Sequence, residues 1–597
     1  MIHNVRKNKL VLGIHPWHDA SVSFISNEGI LFSIAEERLS RIKHHYGFPI
    51  LGIREGMKRL GINSRDISAL AISTKKPILP HPKQFRISIS GELEQQYVAG
   101  RKLSSLFQAQ KTVAVGRVKM PKDWVGEFED RHWSSHYESL VELGLMDARI
   151  PIVNVEHHKA HSSAAFRTRK WDSDVCIVTF DGKGDNLSHS TIVGDSKGGT
   201  RLIRSSSSTN SLGAFYQAIT ESLGFIPVDG EYKTMGLAAL GRAQGVNPFA
   251  DVLKVVDGML HSSFEWSYRS FNKTNPDKRV NNPLSSVSQT DIFRELLESM
   301  TPENFAYAAQ SKFEEITLDL IEQSLEITGC NNLAISGGCA LNVKANSKIV
   351  KKFELDSFYV FPDSGDSGNS MGAALEAQYA LFGNRDLVLD NMYLGTSYND
   401  TQIENYLLNH GVPFTNIREN PNKMIVSRLI QGQVVGVFWD AMEIGPRALG
   451  NRSVLADPRD PKIKDRINEI LKGREWFVPF APVILKDDKD SYYDAKFALN
   501  HMTIAVDAKE LAKQGAPNVV HFDGSMRPQE VSKESNARLY SLLQEFKRQT
   551  EISVLMNTSF NRHGLPIVES PADALEHLYK GWVDVLILGN YMVERVV

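Results

Sequence analysis

Four short apolar segments, each ending in a turn rich in glycine or acidic residues, limit the folds open to this chain more than any other feature. Helical patterns follow three of them. Buried strands that alternate with helices predict an α/β fold in which ligands bind at the carboxyl ends of the strands. The four segments are IPIVNVEHHKAH at 150–161, DVCIVTFDGKGD at 174–185, NLAISGGCALN at 332–342 and FYVFPDSGDSG at 358–368.

The amino-terminal part of the chain has the pattern of a sheet that opens with antiparallel strands. Three β-type runs at 9–14, 20–25 and 29–35 are separated by turn residues. The residues at 50–61 have the periodicity of an amphipathic helix, and ISALAIS at 67–73 is typical of a buried strand. No sequence repeat is detectable. Further helical patterns lie near 213–224 and 302–328.

The length of the chain predicts more than one domain. With 597 residues it is too long for a single hydrophobic core. The segment 383–397 is the predicted linker, with a first domain at 1–395 and a second at 396–597. A basic insert near 77–135 interrupts the first domain, and a solvated excursion and a lid over the acceptor site are equally compatible with it.

The composition describes an ordinary globular protein and excludes several classes of partner. Hydrophobic residues make up 42% and charged residues 23%, while the net charge of −2 gives no general attraction to nucleic acid or membrane. No apolar run reaches about 18 residues, so no membrane-spanning helix is predicted. The basic start lacks the apolar core of a secretory signal, and a cytoplasmic enzyme is expected. Three cysteines without a CxxC pair support neither a disulfide framework nor a cysteine zinc site.

Two histidines with helical spacing form a candidate metal site. His157 and His161 are four residues apart on a predicted helix, so their imidazoles share one face and can ligate one metal. The metalloprotease pattern would require Glu after the first histidine, and His158 stands there instead. Acidic turns that follow predicted strands strengthen the metal hypothesis, and imidazole with carboxylate suits Fe, Mn or Zn better than Ca.

A cation-rich block at 439–482 indicates a site for a small phosphorylated, planar substrate. Guanidinium groups match the oxygens of phosphate and carboxylate, and a merely solvated helix face would alternate acidic and basic residues instead. The glycine pair of GGCALN at 337–342 lets backbone N–H groups approach a phosphate or a ribose. The cations of the block are Arg447, Arg452, Arg459, Arg466, Lys472 and Arg474.

These motifs, taken in order, resemble the O-carbamoyltransferase family, whose members carbamoylate hydroxyl groups of nodulation factors, cephems and aminoglycosides. The resemblance covers most of the chain, and an ordered set of motifs is far more specific than any one of them. The motifs are HDAS at 18–21, HHKAH at 157–161, GPRALGNRS at 445–453, K-x-RE at 472–475, PFAP at 479–482, HFDGSMRPQ at 521–529, NTSFN at 557–561 and PIVESPADAL at 566–575.

The resemblance implies a two-part architecture and a metal site. It implies an actin-like (ASKHA) first domain, as in tRNA threonylcarbamoyl transferases, followed by a YrdC-like α/β domain with a basic cavity. It assigns His18 as the general base for the acceptor hydroxyl, a role that suits a neutral imidazole. It gives His157, His161, Asp181 and Asp366 as ligands of one divalent metal, expected to be iron. Asp185 could replace Asp181, and Asp363 is a poorer substitute for Asp366.

The resemblance also assigns the donor site. Arg447, Lys472 and Arg527 are the implied cationic contacts, and Arg452 and Arg474 belong to the same set. The amide and hydroxyl groups of the NTSFN motif would hold the carbamoyl end of the donor. A nucleotide or adenylate would lie against the glycine turn of the first domain. The residues of the last two groups are Asn557, Thr558, Ser559 and Asn561, and Gly337, Gly338 and Asn342.

The implied activity is ATP-dependent O-carbamoyl transfer through a carbamoyl-adenylate, with carbamoyl phosphate as co-substrate, Mg²⁺ with the ATP and a small-molecule hydroxyl acceptor. A threonylcarbamoyl-type tRNA-modifying transferase, or one that carbamoylates a hydroxymethylated nucleoside or base, remains an alternative, although the near-neutral charge speaks against nucleic acid. A hydrogenase-maturation enzyme would need cysteine-rich zinc motifs. A non-enzymatic interaction protein would have lost site residues that are all present here, and a sugar kinase would explain only the first domain. A homodimer is compatible with the sequence.

Overall fold

The computed structural model describes residues 9–75, 86–89, 144, 150–269, 286–287, 289–385 and 387–595. Apart from the strand Arg86–Ile89, the basic insert predicted near 77–135 lies outside the described residues. Three large sheets with helices between them make up most of the described residues, which confirms an α/β fold. In the part of the chain that the structure describes, no helix is long and apolar enough to cross a membrane.

The first sheet begins with the three antiparallel strands that the sequence predicts. Leu10–His15 pairs with Ser21–Ser26, which pairs in turn with Gly29–Ala35. On its other side Leu10–His15 runs parallel to Ile67–Ile72, and two more parallel strands complete the sheet. All six residues of Leu10–His15 are buried, as expected for a central strand covered on both faces. The last two strands are Ile152–Val155 and, at the edge, Arg86–Ile89.

The five strands of the second sheet repeat the order of five strands of the first sheet, which has one further strand at its edge. Val175–Gly184 pairs antiparallel with Leu187–Gly194, which pairs with Thr200–Ser207. On the other side of Val175–Gly184, two strands run parallel to it, Asn332–Ser336 and then Ser357–Val360. Each sheet is therefore an antiparallel meander whose first strand begins a parallel set. This repeat is invisible in the sequence because the pairing of strands repeats, while the residues do not.

Two helices pack against each other between these sheets. His157–Arg167 follows the last central strand of the first sheet, and Asn369–Phe382 follows the last strand of the second. Their contact is close, because a Cβ at Gly372 would lie 1.9 Å from the Ala160 oxygen. A Cβ at Gly13 would lie 2.0 Å from the Ser370 oxygen, so the second helix also presses on the first sheet. Glycine at these positions lets the strand ends of both sheets meet.

The remaining helices before residue 383 cover the outer faces of the two sheets or connect their strands. The longest has Pro at its first position and ends at Gly329 in a left-handed conformation, as helix caps often do. These helices are Glu36–Ser40, Ile50–Leu60, Leu212–Ser222, Glu231–Ala238, Thr290–Leu297, Pro302–Thr328 and Val343–Lys352. Short two-stranded pairs are formed by Leu253–Val256 with Met259–Ser262 and by Tyr268–Arg269 with Ser286–Val287.

The third sheet has eight strands, all from residues after 414. It is mixed, with Val435–Phe438 running antiparallel to Arg452–Ala456 and parallel to Val585–Leu588. In spatial order its strands are Thr415–Asn416, Tyr591–Glu594, Val585–Leu588, Val435–Phe438, Arg452–Ala456, Val554–Ser559, Ala481–Leu485 and Gln529–Val531. A two-stranded pair, Val506–Asp507 with Ser525–Met526, lies beside it. The helices of this region are Asp400–Asn409, Pro421–Ile430, Ile463–Arg466, Glu510–Gly515, Ala537–Thr550 and Pro571–Tyr579.

The eight-stranded sheet and the first sheet are joined by arginine contacts. Arg38 Nη2 donates to the Gly445 oxygen over 3.1 Å. Arg41 donates to the oxygens of Pro566 and Ile567, 3.0 and 2.7 Å away. These bonds fix a loop of the cation-rich region against the amino-terminal part of the chain. The domain boundary at 395/396 stays a prediction.

Candidate functional site

Four potential metal ligands converge where the strand ends of the first two sheets meet. The ligand atoms of His157, His161, Asp181 and Asp366 all lie within 4.8 Å of one another. His157 Nε2 is 3.4 Å from Asp181 Oδ2 and 3.3 Å from Asp366 Oδ1. His161 Nε2 is 3.3 Å from the same Asp366 oxygen and 3.9 Å from Asp181 Oδ2. The structure thus brings the four residues together, and their role as ligands stays a prediction.

Local sequence explains how the helix carries the two imidazoles. Glu156 precedes the helix His157–Arg167 and caps it by accepting two backbone N–H groups of its first turn. His157 and His161 are one helical turn apart, so their rings lie on one face. Gly184 makes room for this face, because a Cβ there would come within 1.9 Å of the His157 ring.

The electrostatics of the cluster are those of buried groups that require partners. Burial lowers the pKa of His157, but Asp366 and Asp181 outweigh burial and hold that pKa well above its usual value. Burial likewise raises the pKa of Asp181, and His157 and His161 reverse this effect and keep it well below its usual value. The carboxylates therefore favour the protonated imidazoles, and the imidazoles favour the ionised carboxylates.

The four ligand atoms suit a bound transition metal. Metal bonds of about 2.0–2.2 Å to imidazole and carboxylate place neighbouring ligand atoms about 3–3.5 Å apart. Most of the distances between the imidazole nitrogens and the carboxylate oxygens here are 3.3–3.4 Å. A donor set of two nitrogens and two oxygens in a buried position fits Fe, Mn or Zn.

His18, the predicted base, lies beside this cluster. Its Nε2 is 3.1 Å from Asp366 Oδ2, and its Nδ1 is 3.1 Å from Asp19 Oδ2. Burial lowers the pKa of His18, but Asp366 and then Asp19 raise it to about 9. Asp19 is itself held by His44, whose Nδ1–H donates to Asp19 Oδ1 over 2.7 Å.

Asp185 and Asp363, the two alternative metal ligands, accept hydrogen bonds from other groups. Asp185 accepts the backbone N–H of His157 over 3.0 Å and a hydrogen bond from Thr74, so it fixes the start of the helix. Asp363 accepts a hydrogen bond from Ser367 over 2.5 Å, and burial raises its pKa to about 7. Neither belongs to the cluster of ligand atoms.

Several residues of this site were missed from the sequence. Asn369 is fully buried, and its Nδ2 lies 3.1 Å from His161 Nε2 and 3.3 Å from His157 Nε2. His15 accepts from Ser73 and donates to the His18 backbone oxygen over 3.1 Å, so it positions the segment that carries His18. The spacing of His15 and His18 was the only sequence signal for the role of His15, and no sequence signal pointed to Asn369.

The glycine turn predicted to bind a nucleotide also has roles in the fold. Gly337 has φ 99°, and a Cβ there would lie 2.3 Å from the Phe180 oxygen, so close packing of two strands requires glycine. The Gly338 N–H donates to Asp181 Oδ1 over 3.0 Å, which orients a predicted metal ligand. Asn342 caps the next helix and exchanges two hydrogen bonds with Gln310. The structure gives these three residues packing and hydrogen-bonding roles, and the assignment of Gly337, Gly338 and Asn342 to nucleotide binding stays a prediction.

A second cluster, the arginine cluster, consists of Arg447, Arg474 and Arg527. Burial lowers the pKa of Arg527 well below its usual value, and the charges of Arg447 and Arg474 lower it further. Burial lowers the pKa of Arg447 to about 10. Within the described ranges none of the three forms an ion pair with a carboxylate, while Arg474 Nε donates to Asn468 over 2.8 Å. Three cations without a carboxylate partner are a candidate site for an anion.

Arg452 and Lys472 behave differently from the arginine cluster. The Arg452 guanidinium is fully buried, stacks 3.7 Å over Phe438, and donates to the backbone oxygens of Trp439 and Asn451. These contacts give Arg452 a structural role, and its role in binding the donor stays a prediction. Lys472 is buried, and its Nζ donates to backbone and side-chain oxygens of Ser559 and Asn561 at 2.5–3.1 Å, which ties the NTSFN motif to the cation-rich block.

The NTSFN motif spans the end of a strand at the edge of this site. Asn557 and Thr558 lie on the strand Val554–Ser559, opposite Leu455 and Val454. Asn557 Nδ2 donates to the Ala448 oxygen over 2.9 Å. In the described part of the chain its buried Oδ1 has no partner, which leaves one amide oxygen for a ligand.

A short segment of the first region reaches the second cluster. Tyr232 on the helix Glu231–Ala238 places its hydroxyl 3.2 Å from His563 Nδ1, and this hydroxyl also interacts electrostatically with Arg474. The next residue, Lys233, pairs with Glu475 over 3.0 Å. Asp229, just before the helix, lies 3.5 Å from His44 Nε2. The two clusters are thus connected through adjacent residues.

Comparison with known proteins gives two family matches. A family model described as the carbamoyltransferase N-terminus matches residues 10–375, and one described as the carbamoyltransferase C-terminus matches residues 426–595. Together they span both clusters and every strand of the three large sheets except Thr415–Asn416.

Three curated proteins show how far the similarity extends. The uncharacterized protein MJ1058 of Methanocaldococcus jannaschii is 27% identical over 620 residues, covering 98% of this chain and 99% of its own. The nodulation protein NolNO of Sinorhizobium fredii is also 27% identical, over 100% of this chain and 81% of its own. The 3'-hydroxymethylcephem-O-carbamoyltransferase of Streptomyces clavuligerus is 30% identical over 61% of this chain and 64% of its own.

Proposed function

The chain belongs to the carbamoyltransferase family, which the two matched segments establish, and we propose that it is an ATP-dependent O-carbamoyltransferase. The recognition of the family from its motifs is confirmed. The cephem enzyme among the relatives is named for transfer to a hydroxymethyl group, which supports a hydroxyl on a small molecule as the acceptor here.

The observation that carries the proposal is the arginine cluster. The charges of Arg447 and Arg474 both act unfavourably on that of Arg527, and burial adds to the cost of all three charges. Such a set is stable only with an anion or water at its centre. Carbamoyl phosphate and ATP both supply phosphate oxygens, and the free amide oxygen of Asn557 matches the N–H groups of a carbamoyl end.

The donor half of the proposed reaction takes place at the arginine cluster. Carbamoyl phosphate and water give carbamate and phosphate. A carbamate oxygen then attacks the α-phosphorus of ATP, which forms carbamoyl-adenylate and expels pyrophosphate with its Mg²⁺. Bringing two anions together costs Coulomb energy, and fixed arginines offset this cost without reorganising during the reaction.

The transfer half takes place beside the histidine–aspartate cluster, which consists of His157, His161, Asp181 and Asp366. The acceptor hydroxyl gives its proton to His18 Nε2 while its oxygen bonds to the carbamoyl carbon, and the bond from that carbon to the adenylate oxygen breaks to release AMP. Asp19 holds His18 at Nδ1 and directs Nε2 toward the cluster. A divalent metal on the four ligands, which we infer to be iron, would polarise the carbamoyl carbonyl and, by neutralising Asp366, lower the pKa of His18.

The fold supports a division into two catalytic regions. The repeated meander-plus-parallel order of the first two sheets, with a site between them, supports an actin-like region up to residue 395. The eight-stranded mixed sheet beside the arginine cluster supports a YrdC-like region at 396–597. Contacts such as Arg38 to the Gly445 oxygen hold these regions together and shield a reactive intermediate from water.

Pyrophosphate release tests the donor site directly. In Arg527→Ala, release from ATP plus carbamoyl phosphate should fall roughly 30- to 1000-fold, because one charge-assisted contact worth about 2–4 kcal/mol is lost. Arg447→Ala should behave in the same way. The matched control is Arg459→Ala, which removes an arginine of the same block that pairs with Asp457. Pyrophosphate release close to wild type in both site variants would sink the proposal.

A further inference from the structure

We propose that Asn369 supplies a fifth ligand to the metal, the oxygen of its side-chain amide. This inference rests on the proposed metal site of His157, His161, Asp181 and Asp366, and it adds a residue that neither the motifs nor the spacing of histidines indicated.

The position of the Asn369 side chain is the first observation. It begins the helix Asn369–Phe382, three residues after Asp366, so both side chains face the cluster. It is fully buried. Its amide group lies 3.1 Å from His161 Nε2 and 3.3 Å from His157 Nε2, the two nitrogen atoms that face the carboxylates.

The hydrogen bonds of this amide are the second observation. Asn369 Oδ1 is buried and, in the part of the chain that the structure describes, has no hydrogen-bond partner. Its Nδ2 faces two imidazole nitrogens that are 3.1 Å apart. An imidazole nitrogen that binds a metal has no lone pair left to accept from an amide N–H. The present orientation is therefore incompatible with two metal-bound histidines.

Rotation of the amide resolves both conflicts. The oxygen and nitrogen of an asparagine side chain have almost the same shape, and their assignment follows from the surrounding partners. With the amide turned, Oδ1 faces the point where His157 Nε2, His161 Nε2 and Asp366 Oδ1 converge. An amide oxygen is a metal ligand in its own right, and it adds no charge to a set that already contains two carboxylates.

A fifth donor narrows the class of metal. Closed structural zinc sites use four ligands, commonly with cysteine, and the cluster has no cysteine. Two imidazole nitrogens and three oxygens suit a cation that accepts more than four ligands from nitrogen and oxygen, such as Fe²⁺, Mn²⁺ or Co²⁺.

Titration of the metal-free protein with Co²⁺ tests the ligand without relying on activity. In Asn369→Ala, the Kd for Co²⁺, measured by competition with a chelator, should rise about 10- to 100-fold. The visible absorption of the bound Co²⁺ should also intensify, because four-coordinate Co²⁺ absorbs more strongly than five-coordinate Co²⁺. Asp363→Asn, a change in the same turn outside the cluster, should match the wild type. His161→Ala should bind no Co²⁺ stoichiometrically.

The outcomes separate this inference from the site on which it rests. Wild-type protein that binds no Co²⁺ overturns the metal site and the fifth ligand together. Stoichiometric binding by the wild type, with the same Kd and spectrum in Asn369→Ala, overturns the fifth ligand alone. If Asn369→Ala does not fold, Asn369→Asp keeps an oxygen at this position and should retain the wild-type spectrum. A spectrum that shows an added ligand in Asn369→Asp would also overturn the inference.

Discussion

At the scale of single residues, the His18 ring is held through its Nδ1 atom. Asp19 accepts from Nδ1, and His44 fixes Asp19 from the other side. Asp19 adopts φ 56°, a left-handed conformation that short polar residues tolerate better than most. Burial lowers the pKa of His44, but Asp19 raises it to about 10, so His44 is a cation that completes the support. The orientation of the proposed base is therefore built into the fold.

His18→Asn should separate the two half-reactions. Asparagine keeps a polar group of similar size but cannot accept a proton at neutral pH. The variant should release pyrophosphate for at least one turnover and should transfer the carbamoyl group 10²–10⁴ times more slowly, the range for loss of a general base. A single-turnover experiment with rapid quenching measures both steps, and exposed His410→Asn serves as the control.

Two results would contradict this role. Loss of pyrophosphate release in His18→Asn would place the residue in the nucleotide site. Transfer at the wild-type rate would make His18 structural, and another group would have to take the proton.

The identities of the residues predicted part of the site, and the remaining part depends on hydrogen bonds that only the fold creates. The sequence indicated the four residues of the histidine–aspartate cluster and His18, all of which lie together. It could not show that Arg452 donates to the Trp439 oxygen, because that oxygen approaches it through the pairing of Phe438 with Arg452. For the same reason no local pattern pointed to Asn369, whose histidine neighbours lie more than 200 residues away in the chain.

At the scale of elements, the helix Glu231–Ala238 connects the two clusters. Lys233 and Tyr232 reach the loop of Arg474, and Asp229 reaches His44. The helix begins after Val228, a β-branched residue at φ 70°, where backbone strain costs about 1–3 kcal/mol. Backbone strain of this kind persists where the surrounding contacts fix the backbone conformation. The contacts made by this segment therefore determine where the helix begins.

Lys233→Gln should weaken the donor half without affecting the base. Lys233 holds Glu475, the neighbour of Arg474, and loss of this partly buried ion pair should cost about 1–2 kcal/mol. The KM for ATP in pyrophosphate release should therefore rise roughly 5- to 30-fold. The matched control is Lys351→Gln, whose partner Asp507 is on an exposed surface. An unchanged KM for ATP would show that this ion pair does not position Arg474.

Local sequence patterns predicted the helices and strands well, but they could not predict which distant strands pair with each other. The strands expected at 9–14 and 20–25 are observed one residue later, as Leu10–His15 and Ser21–Ser26, and the helix expected at 50–61 ends at Leu60. Alternation and amphipathic periodicity are properties of neighbouring residues, which explains this agreement. The third sheet instead pairs Val435–Phe438 with Val585–Leu588, about 150 residues apart, and no local pattern contains that information.

At the scale of the whole molecule, both clusters belong to one packed chain. Arg41 crosses between the regions through Asp573 as well as through backbone oxygens, and Lys344 pairs with Asp523. Polar contacts run from His18 through Asp19, His44 and Asp229 toward Tyr232. This arrangement predicts that an intermediate made at the arginine cluster is used at the histidine–aspartate cluster of the same molecule.

A mixture of two inactive variants tests this prediction. His18→Asn should still make carbamoyl-adenylate, and Arg527→Ala should retain the intact base and metal ligands. If the intermediate stays within one chain, an equal mixture should transfer no more carbamoyl group than the sum of the two variants, because a mixed anhydride released into water hydrolyses before it is captured. The measurement is the mass gain of one carbamoyl group on the acceptor, with the double variant as the blank. Recovery of transfer to a large fraction of the wild-type rate would show that the intermediate diffuses between molecules, or that the two clusters of different chains work together. That result would leave the proposed chemistry intact and would contradict the closed arrangement of the two regions.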